Sequence, residues 1–537
     1  MLSYRKLAMR VLGRPLHTEG IDSPRPASQR AAAFILTAAM LTTLAAPAFA
    51  DIWHIENGDI TISAGESGNN VTQNNNTTYG DTNTIITNQN KDTASSHTVT
   101  IEAKDKDDKV EVTLKDVNID TSSRNKAAVS VTGEGDTNIK LDGDNALKSD
   151  IYRSGIYGSG SGSLTISGGE NDSLTAQGGS GANGISSSGS LTISGGTVTA
   201  NGDDGCRGIS SSGSVTISGG STVTANGGSG TISGGDGIWS GGGVTISGGS
   251  TVTANGGNGG SLVGGDGIRS GGGLTVSDGT VTAKGGNGDS KDGYGGDGIR
   301  SGGFVTISGN TVNAAGGYGG KVGGYGICSF DRVAISGGTV EAAGGNGSTG
   351  GGSGIYSSVI DLSGSLELTA KAGSPNGKAL SQKGSELVLD TIKDKLGPGA
   401  KVTATDADGK VIDQVSTPRP VEPEESSSSS DGGSSAPSAP ASSLPGLTVT
   451  DKSGAVISYT STQSGNTLTV CVGRLTASLH VSLAALRQLR AEGIETITFQ
   501  TILCSTTLSL DELLAMGGED AEAVLTHRFT DSSLTVG

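Results

Sequence analysis

The chain has 537 residues, among them 93 glycines, 12 prolines and 4 cysteines, and its formal net charge is −17. So few prolines exclude a collagen-like chain, which combines glycine with abundant proline, and so few cysteines exclude a framework of disulfides. The acidity argues against nucleic acids and anionic lipid surfaces as partners.

Residues 1–50 are predicted to be a secretory signal peptide. Six basic residues precede the uncharged run 31–46, which is followed by proline and the small-residue pattern Ala48-Phe49-Ala50. Cleavage before Asp51 would remove these six basic and two acidic residues and leave 51 acids and 30 bases, a net charge of −21. We expect a secreted or cell-surface bacterial protein with no membrane span after cleavage. An uncleaved anchor is the alternative, although the run is shorter than the roughly 20 residues that span a bilayer.

Residues 51–150 contain short alternating apolar runs, such as Val110 to Leu114, without the glycine-rich pattern that follows. Alternation at period two predicts strands with one buried face. An open solenoid end exposes unpaired strand edges, so we expect this region to form irregular turns that cap a solenoid. The polar segment 73–90 is predicted to be a loop.

Residues 151–412 are predicted to form a right-handed parallel β-helix with a C-terminal cap. A Gly-Ile step returns eight times at spacings of 24 to 31 residues, and most copies continue with runs similar to Val-Thr-Ile-Ser and Thr-Val-Thr-Ala. Each copy should contain three short strands, which cannot bury their own apolar face and must stack on the neighbouring copies. The isoleucines of the step are Ile156, Ile185, Ile209, Ile238, Ile268, Ile299, Ile327 and Ile355.

Stacking at roughly 4.8 Å per turn predicts three inward-facing columns. The glycines and asparagines at the strand ends, such as Gly248, Gly249, Asn255, Gly256 and Gly257, are expected to supply positive φ angles for sharp corners. The columns are Leu164, Leu191, Val215, Val244, Leu274, Val305 and Val333; Ile166, Ile193, Ile217, Ile246, Val276, Ile307 and Ile335; and Ala176, Ala200, Ala225, Ala254, Ala283, Ala314 and Ala342.

Residues 413–446 are rich in proline, serine and glutamate and predict a flexible linker. Residues 447–537 contain apolar strands and two short helices, which predict a small α+β accessory domain. Ser482 is the expected N-cap of the first helix, and Ser509 with Glu512 forms a capping box for the second. Cys471 and Cys504 fall on two predicted strands, and the sequence leaves open whether they pair or stay buried thiols.

Aspartates recur at one place in the repeat. Asp236, Asp266 and Asp297 each stand in Gly-Gly-Asp-Gly-Ile on consecutive turns, and Asp204 belongs to the preceding copy. Stacked like charges repel unless they are compensated, and Ca²⁺ accepts carboxylates in flexible geometry. These four residues are therefore predicted calcium ligands. The alternative is that each aspartate caps backbone N–H groups of its own turn.

The residue after each Gly-Ile step is predicted to face solvent. Flat aromatic and guanidinium groups in such a column can stack on sugar rings and hydrogen-bond their hydroxyls, whereas isolated exposed aromatics are ordinary on any surface. We predict a carbohydrate-binding face formed by Tyr157, Trp239, Arg269, Arg300 and Tyr356. The whole column reads Tyr157, Ser186, Ser210, Trp239, Arg269, Arg300, Cys328 and Tyr356.

Catalysis is not expected. Glycoside hydrolysis needs carboxylates that converge on one bond, and the adjacent pair Asp203-Asp204 is the single candidate in the repeat. The histidines that follow residue 50 lie outside the eight copies. A polysaccharide lyase, in which Arg207 would act near a calcium site, is the weaker alternative.

The stretch from about Val110 to Ala370 resembles the secreted carbohydrate-binding β-helix family of anaerobic Firmicutes, whose fold is similar to that of pectate lyases. The resemblance rests on Asp204-Gly205-Cys206-Arg207-Gly208-Ile209, on Gly-Gly-Asp-Gly-Ile and on repeated Leu/Val-Thr-Ile-Ser-Gly-Gly. It implies non-catalytic binding of plant polysaccharides with calcium in the turns. The aspartate is replaced by Asn183, Tyr325 and Ser353 in other copies.

The leading hypothesis is therefore an exported polysaccharide-binding β-helix, non-catalytic and calcium-assisted, tethered to a small accessory domain. The alternative from another class is a structural spacer or adhesin stalk, in which a rigid rod presents the C-terminal domain.

Overall fold

The computed structural model describes residues 51–418 and, in the C-terminal part, 446–451, 456–457, 459–464, 466–472, 476–501, 505–516, 522–528 and 531–536. The predicted signal peptide, most of the predicted linker and Cys504 lie outside the described residues. The chain divides into two compact units, Met1–Glu424 and Glu425–Gly537. Among the described residues, no helix is both long and apolar enough to cross a bilayer.

The first unit is a β-solenoid of about 14 turns. Strands hold 53% of the residues and helices 6%, which confirms the predicted all-β parallel β-helix. Each repeat contributes one strand to each of three parallel sheets, here called the first, second and third sheets in chain order. Equivalent strands of successive turns pair directly, so each sheet runs along the axis of the solenoid.

The strands of the repeats follow the predicted runs. In the first sheet they are β12 (Ile156–Gly158), β15 (Ile185–Ser187), β18 (Ile209–Ser211), β21 (Ile238–Ser240), β24 (Ile268–Ser270), β27 (Ile299–Ser301) and β30 (Ile355–Leu362). In the second they are β13 (Leu164–Ser167), β16 (Leu191–Ser194), β19 (Val215–Ser218), β22 (Val244–Ile246) and β25 (Leu274–Val276). In the third they are β14 (Ser173–Gln177), β17 (Thr197–Asn201), β20 (Thr222–Asn226), β23 (Ser250–Asn255), β26 (Gly279–Lys284) and β31 (Leu366–Lys371). Three strands continue from one sheet to the next, namely β28 (Val305–Ala315), β29 (Ile327–Ala343) and β30.

All three predicted inward columns are confirmed by the pairing. Ile246, for example, lies opposite Ile217 on one side and Val276 on the other, and its side chain is fully buried. Ala225, Ala254 and Ala283 align in the same way in the third sheet. The aliphatic columns form one continuous core along the solenoid, which is the main favourable contribution to folding.

The N-terminal turns are irregular, as expected, but the predicted loop at 73–90 is wrong. It contains β4 (Asn76–Asp81) and β5 (Thr84–Thr87). β4 pairs antiparallel with β3 (Gly68–Gln73), and β5 pairs parallel with β1 (Ile52–His54). Residues 76–79 of β4 are exposed on both faces, so they show no alternation that the sequence could reveal. The strands here are β1 (Ile52–His54), β2 (Ile60–Gly65), β3 (Gly68–Gln73), β4 (Asn76–Asp81), β5 (Thr84–Thr87), β6 (Val99–Ala103), β7 (Lys109–Lys115), β8 (Asn118–Asp120), β9 (Val129–Gly133), β10 (Asp136–Asp142) and β11 (Asp144–Lys148), with a 3-10 turn at Ile55–Asn57.

The C-terminal end of the solenoid is closed by short elements that pack over the last turns. They are β32 (Leu380–Gln382), β33 (Ser385–Glu386), a 3-10 segment at Leu389–Lys395, β34 (Lys401–Thr405) and β35 (Val411–Ser416). β34 extends the third sheet, and β35 pairs antiparallel with it. The hairpin and the 3-10 segment together cover the core, because Val402 of β34 and Leu389 of the 3-10 segment are fully buried.

Glycines at the corners have two different roles. Gly248 and Gly249 have φ angles of 63° and 72°, which confirms the predicted positive φ. The same explanation is wrong for Asn255, Gly256 and Gly257, which are not left-handed. Gly256 and Gly257 are glycines because the backbone approaches neighbouring segments closely there. A Cβ on Gly256 would lie 2.0 Å from a carbonyl oxygen of one such segment, and a Cβ on Gly257 would lie 2.1 Å from a carbonyl oxygen of another.

Gly257 belongs to a fourth side of the solenoid, between the third and first sheets, which we call the glycine seam. Each seam glycine after Gly228 donates its N–H to the carbonyl of the preceding one at 2.8 to 3.0 Å, so there are two such bonds per turn. Backbones this close leave no space for a side chain between them. The members are Gly228, Gly235, Gly257, Gly265, Gly286, Gly296, Gly317, Gly324, Gly345, Gly352 and Gly373.

The described residues of the second unit form two four-stranded sheets and two helices. Helix α1 (Leu483–Ala491) buries Leu483, Leu486 and Leu489, and the side chain of Ser482 accepts the Ala485 N–H at 3.2 Å, which confirms the predicted N-cap. Helix α2 (Leu510–Met516) starts directly after Ser509. One sheet contains β36 (Leu447–Thr450), β39 (Thr476–Ser482), β42 (Glu522–Arg528) and β43 (Asp531–Val536); the other contains β37 (Thr460–Ser464), β38 (Thr467–Cys471), β40 (Thr496–Gln500) and β41 (Ser505–Ser509).

Candidate functional site

A groove of about 730 Å³ runs along the solenoid where the glycine seam meets the first sheet. Its floor consists of glycine backbone and the side chains of Asp236, Asp266 and Asp297. In each repeat the aspartate lies between a residue three positions before it and an outward residue three positions after it. The groove therefore has two unlike sides. The first includes Val263, Tyr294 and Val322. The second includes Arg269 and Arg300, and the side chain of Arg207 reaches it from the position of the aspartate column one turn earlier.

The three aspartates form a hydrogen-bonded column. The Asp266 N–H donates to Asp236 Oδ1 at 2.9 Å, the Asp297 N–H donates to Asp266 Oδ1 at 2.7 Å, and the Tyr325 N–H donates to Asp297 Oδ1 at 2.7 Å. The aspartates are only 4 to 7% exposed. The aspartates therefore do cap backbone N–H groups, as the alternative prediction states. The difference is that each carboxylate accepts the N–H of the following turn and not one of its own turn.

The second oxygen of each carboxylate faces a guanidinium group. The three arginines, Arg207, Arg269 and Arg300, are called the arginine row. Arg207 Nε lies 3.3 Å from Asp236 Oδ2, and Arg300 Nη1 lies 3.4 Å from Asp297 Oδ2. The Arg269–Asp266 pair is looser, at 4.0 Å. Arg207 belongs to the turn before Asp236, and its side chain reaches forward to that aspartate. One guanidinium group therefore lies beside each of the three aspartates, which stand on consecutive turns.

The column is electrostatically strained. Burial, together with the charges of Asp297 and Asp236, raises the pKa of Asp266 well above its usual value. Burial also raises the pKa of Asp297 to about 6, although the Tyr325 N–H and the Arg300 charge oppose this shift. Three acids on adjacent turns thus share a poorly hydrated floor, and the arginine row favours their ionised forms.

The structure brings together most of the predicted carbohydrate-binding residues. Arg269 and Arg300 lie in the groove. Trp239 lies beside it in the same outward column, and the Arg207 guanidinium is 4.3 Å from the centre of its ring. Tyr356 stacks on the groove residue Tyr325, with ring centres 4.9 Å apart.

Tyr157 is not brought to the groove. It is 43% exposed, but three turns separate it from Trp239, and Ser186 and Ser210 occupy the turns between them. The expectation that the whole column faces solvent is wrong for Ser210, which is buried between Ser186 and Trp239, and for Cys328, which is buried between Arg300 and Tyr356. Cys328 has a larger side chain on the turn before it and on the turn after it, and Ser210 has the larger Trp239 on the turn after it.

Asp204 lies outside the aspartate column. It is exposed at a bend with a φ angle of 44°, and its carboxylate accepts a hydrogen bond from the Ser180 hydroxyl. The residue in register with Asp236 is Arg207, whose N–H donates to the side chain of Asn183, the preceding member of the column, at 2.8 Å. The register is set by Arg207-Gly208-Ile209, which aligns with Asp236-Gly237-Ile238.

Sequence reasoning missed the first side of the groove. Ser233, Val263, Tyr294 and Val322 pair from turn to turn through isolated bridges. Each stands three residues before an aspartate or its replacement, Tyr325. That fixed offset was visible in the repeat, but the surrounding glycines hide the alternation that marks a strand.

Nothing in the structure tests calcium binding directly, but the predicted ligands of the aspartate column already have protein partners. Among the residues that the structure describes, no group of three or more histidine, cysteine, aspartate or glutamate side chains is arranged to hold a metal ion. Each column carboxylate already accepts a backbone N–H and faces a guanidinium. A calcium ion would have to displace the arginine row.

We therefore expect millimolar calcium to leave the thermal midpoint of the protein at its value in EDTA. An ion that binds only the folded state would raise the midpoint by mass action. Differential scanning calorimetry of the parent and of Asp266→Asn measures this. A calcium-dependent rise in the parent that is lost in Asp266→Asn would contradict the expectation and place the ion in the column.

The chemistry of the groove follows from its own residues. The guanidinium groups can donate to hydroxyls or anions, Tyr294 and Val263 offer apolar surface, and the floor supplies acceptors. Comparisons of the chain with family models, with curated proteins and with solved structures find no match. The family resemblance of the sequence stays a prediction, and the function is inferred from the groove.

Proposed function

We propose that this is an exported, non-catalytic polysaccharide-binding protein and that the groove holds a glycan chain along the axis of the solenoid. The observation that carries the proposal is the groove itself, in which a row of guanidinium groups faces an apolar and aromatic side over consecutive turns. A sugar ring has an apolar C–H face and a polar edge, so it suits a groove with one side of each kind.

Pre-organisation supports the proposal. The side chains of Arg207 and Arg300 are held by the buried carboxylates beneath them, and the backbone below is fixed by the bonds of the glycine seam. Ligand binding then costs little conformational entropy, because the side chains that it contacts are already ordered. A repeating groove also suits a repeating polymer, because each further turn can add contacts of the same kind.

The arrangement of the acids favours binding over cleavage. Hydrolysis of a glycosidic bond uses two carboxylates on either side of that bond, whereas Asp236, Asp266 and Asp297 lie in one row beneath the ligand's path. Both oxygens of Asp236 and Asp297 are already paired. A lyase therefore stays the weaker alternative, and product analysis belongs in the test.

We expect Trp239→Ala to weaken polysaccharide binding by about 1 to 3 kcal/mol, as the loss of an aromatic anchor does. The substitution removes the ring and also frees the Arg207 guanidinium that packs on it. Retention of the full-length chain on insoluble pectin and cellulose measures the effect. Circular dichroism checks that the fold survives.

Tyr157→Ala is the matched control, because Tyr157 belongs to the same outward column but lies outside the groove. An equal loss in both variants would show that the column, and not the groove, binds. Unsaturated or shortened sugars among the products would show cleavage. A parent protein that no polymer retains would favour the structural spacer, which a rigid rod of about 14 turns could serve.

A further inference from the structure

Every arginine of the groove is paired with an acid that water barely reaches. Asp266 and Asp297 are 5% and 4% exposed, while the side chains of Arg269 and Arg300 are 49% and 37% exposed. The positive groups are therefore open to a ligand and their negative partners are not. One guanidinium accompanies each of three consecutive turns, which lie roughly 4.8 Å apart.

Resting on the proposed function, we infer that the groove selects anionic polysaccharides and that such a polymer binds together with protons taken up by the aspartate column. The protein carries a net negative charge, so the arginine row must supply the local attraction. A guanidinium has five N–H donors, and each one here shares at most a few with its aspartate, which leaves donors for a ligand carboxylate or sulfate. The apolar face of the same sugar unit would rest on Tyr294 or Val263.

Proton uptake follows from the like charges. A bound anion on the arginine row places a further negative charge above Asp266, which already has Asp236 and Asp297 on the neighbouring turns. A nearby like charge favours the protonated form of a carboxyl. Protonation of Asp266 removes the repulsion, and its Oδ1 can still accept the Asp297 N–H. Arg269 is then released from its acid and turns fully to the ligand.

Several charged and titratable groups face the column. Asp266 is faced by Asp236, Asp297, Arg269 and Arg300. Tyr325 and Cys328 lie near Asp297, and burial raises the pKa of both, to about 12 for the thiol. The arginines stay charged. Asp297, with a pKa of about 6, and Asp266, whose pKa is also raised, are therefore the groups that exchange protons.

Isothermal titration calorimetry of the full-length chain tests the inference, with polygalacturonate as the anionic probe and its fully methyl-esterified form as the neutral probe. Titrations at about pH 7.5 and about pH 5.5 bracket the pKa of Asp297. We expect the affinity for polygalacturonate to rise as the pH falls, by up to roughly tenfold per pH unit for each proton taken up. Buffers of different ionisation enthalpy should report that uptake directly, and the ester should show neither effect.

Two variants sharpen the test. Asp266→Asn keeps a side-chain oxygen for the Asp297 N–H, as Asn183 already does for Arg207 in the same column. It should bind polygalacturonate more tightly at about pH 7.5 and with less dependence on pH. Arg269→Ala should weaken polygalacturonate roughly tenfold, the loss expected for one charged hydrogen bond, and leave the ester nearly unchanged. Arg153→Ala, an exposed arginine outside the groove, is the control.

Equal affinity for polygalacturonate and its ester would overturn the selectivity while leaving the proposed function in place. Binding without proton uptake, or an Asp266→Asn variant with the parent's pH dependence, would overturn the proton coupling. Binding of neither probe would overturn the whole inference. Retention on other polysaccharides in the pull-down would then show that the proposed function survives without it.

Discussion

Ile246→Asp is expected to lower the free energy of unfolding of the solenoid by at least about 3 to 5 kcal/mol, the cost of an unpaired charge in a core. Ile246 is fully buried, with Ile217 and Val276 directly opposite on the neighbouring turns. Its neighbours in this column are all aliphatic, so a carboxylate would find no partner. Either the charge stays buried at that cost or the turn opens and exposes the columns next to it.

Urea denaturation followed by far-UV circular dichroism measures this loss. Thr245→Asp is the matched control, because Thr245 precedes Ile246 in the same strand but is exposed to solvent. It introduces the same charge on the opposite face and should leave stability within about 0.5 kcal/mol of the parent. A variant of Ile246 that unfolds like the parent would show that the column does not face the core.

Gly265→Ala is expected to destabilise the solenoid by roughly 3 kcal/mol, at the upper end of the usual cost of overpacking. The added Cβ would lie 1.9 Å from the carbonyl oxygen of Gly235 on the preceding turn. The obstacle is backbone on a neighbouring turn and not a flexible side chain, so relief requires that the turns move apart and break bonds of the seam. The φ angle of Gly265 is not left-handed, so the expected loss comes from contact alone.

Gly350→Ala is the matched control for the loss of stability expected of Gly265→Ala. A Cβ there would meet the methyl groups of Val322 at 3.8 Å, an ordinary contact, and Gly350 is not left-handed either. The lower chain entropy of alanine in the unfolded state should then make this variant neutral or more stable by up to about 1 kcal/mol. Equal stability of the two variants in the same denaturation experiment would contradict a close-packed seam.

Part of the site could be predicted from sequence, because an outward position in a repeated strand is a local property. The position after each Gly-Ile step correctly predicted that Arg269, Arg300 and Trp239 lie on one surface. The same rule failed for Ser210 and Cys328, since burial there depends on the size of neighbouring side chains. The rule also could not predict that Tyr157 lies outside the groove. The sequence of a single repeat does not indicate at which turn of the solenoid the groove starts.

The sequence by itself determined the solenoid, its register and the residues of its core. Alternation within a strand sets which side chains face inward, and repetition forces equivalent positions such as Ile217 and Ile246 to stack. Only the tertiary structure decided the glycine seam, the groove and the pairing of Arg207 with Asp236. Each of these depends on the distance between neighbouring turns, where backbone meets backbone and an arginine reaches past its own turn. The raised pKa values of Asp266 and Asp297 have the same origin, because burial and repulsion between stacked acids arise only after the turns have assembled.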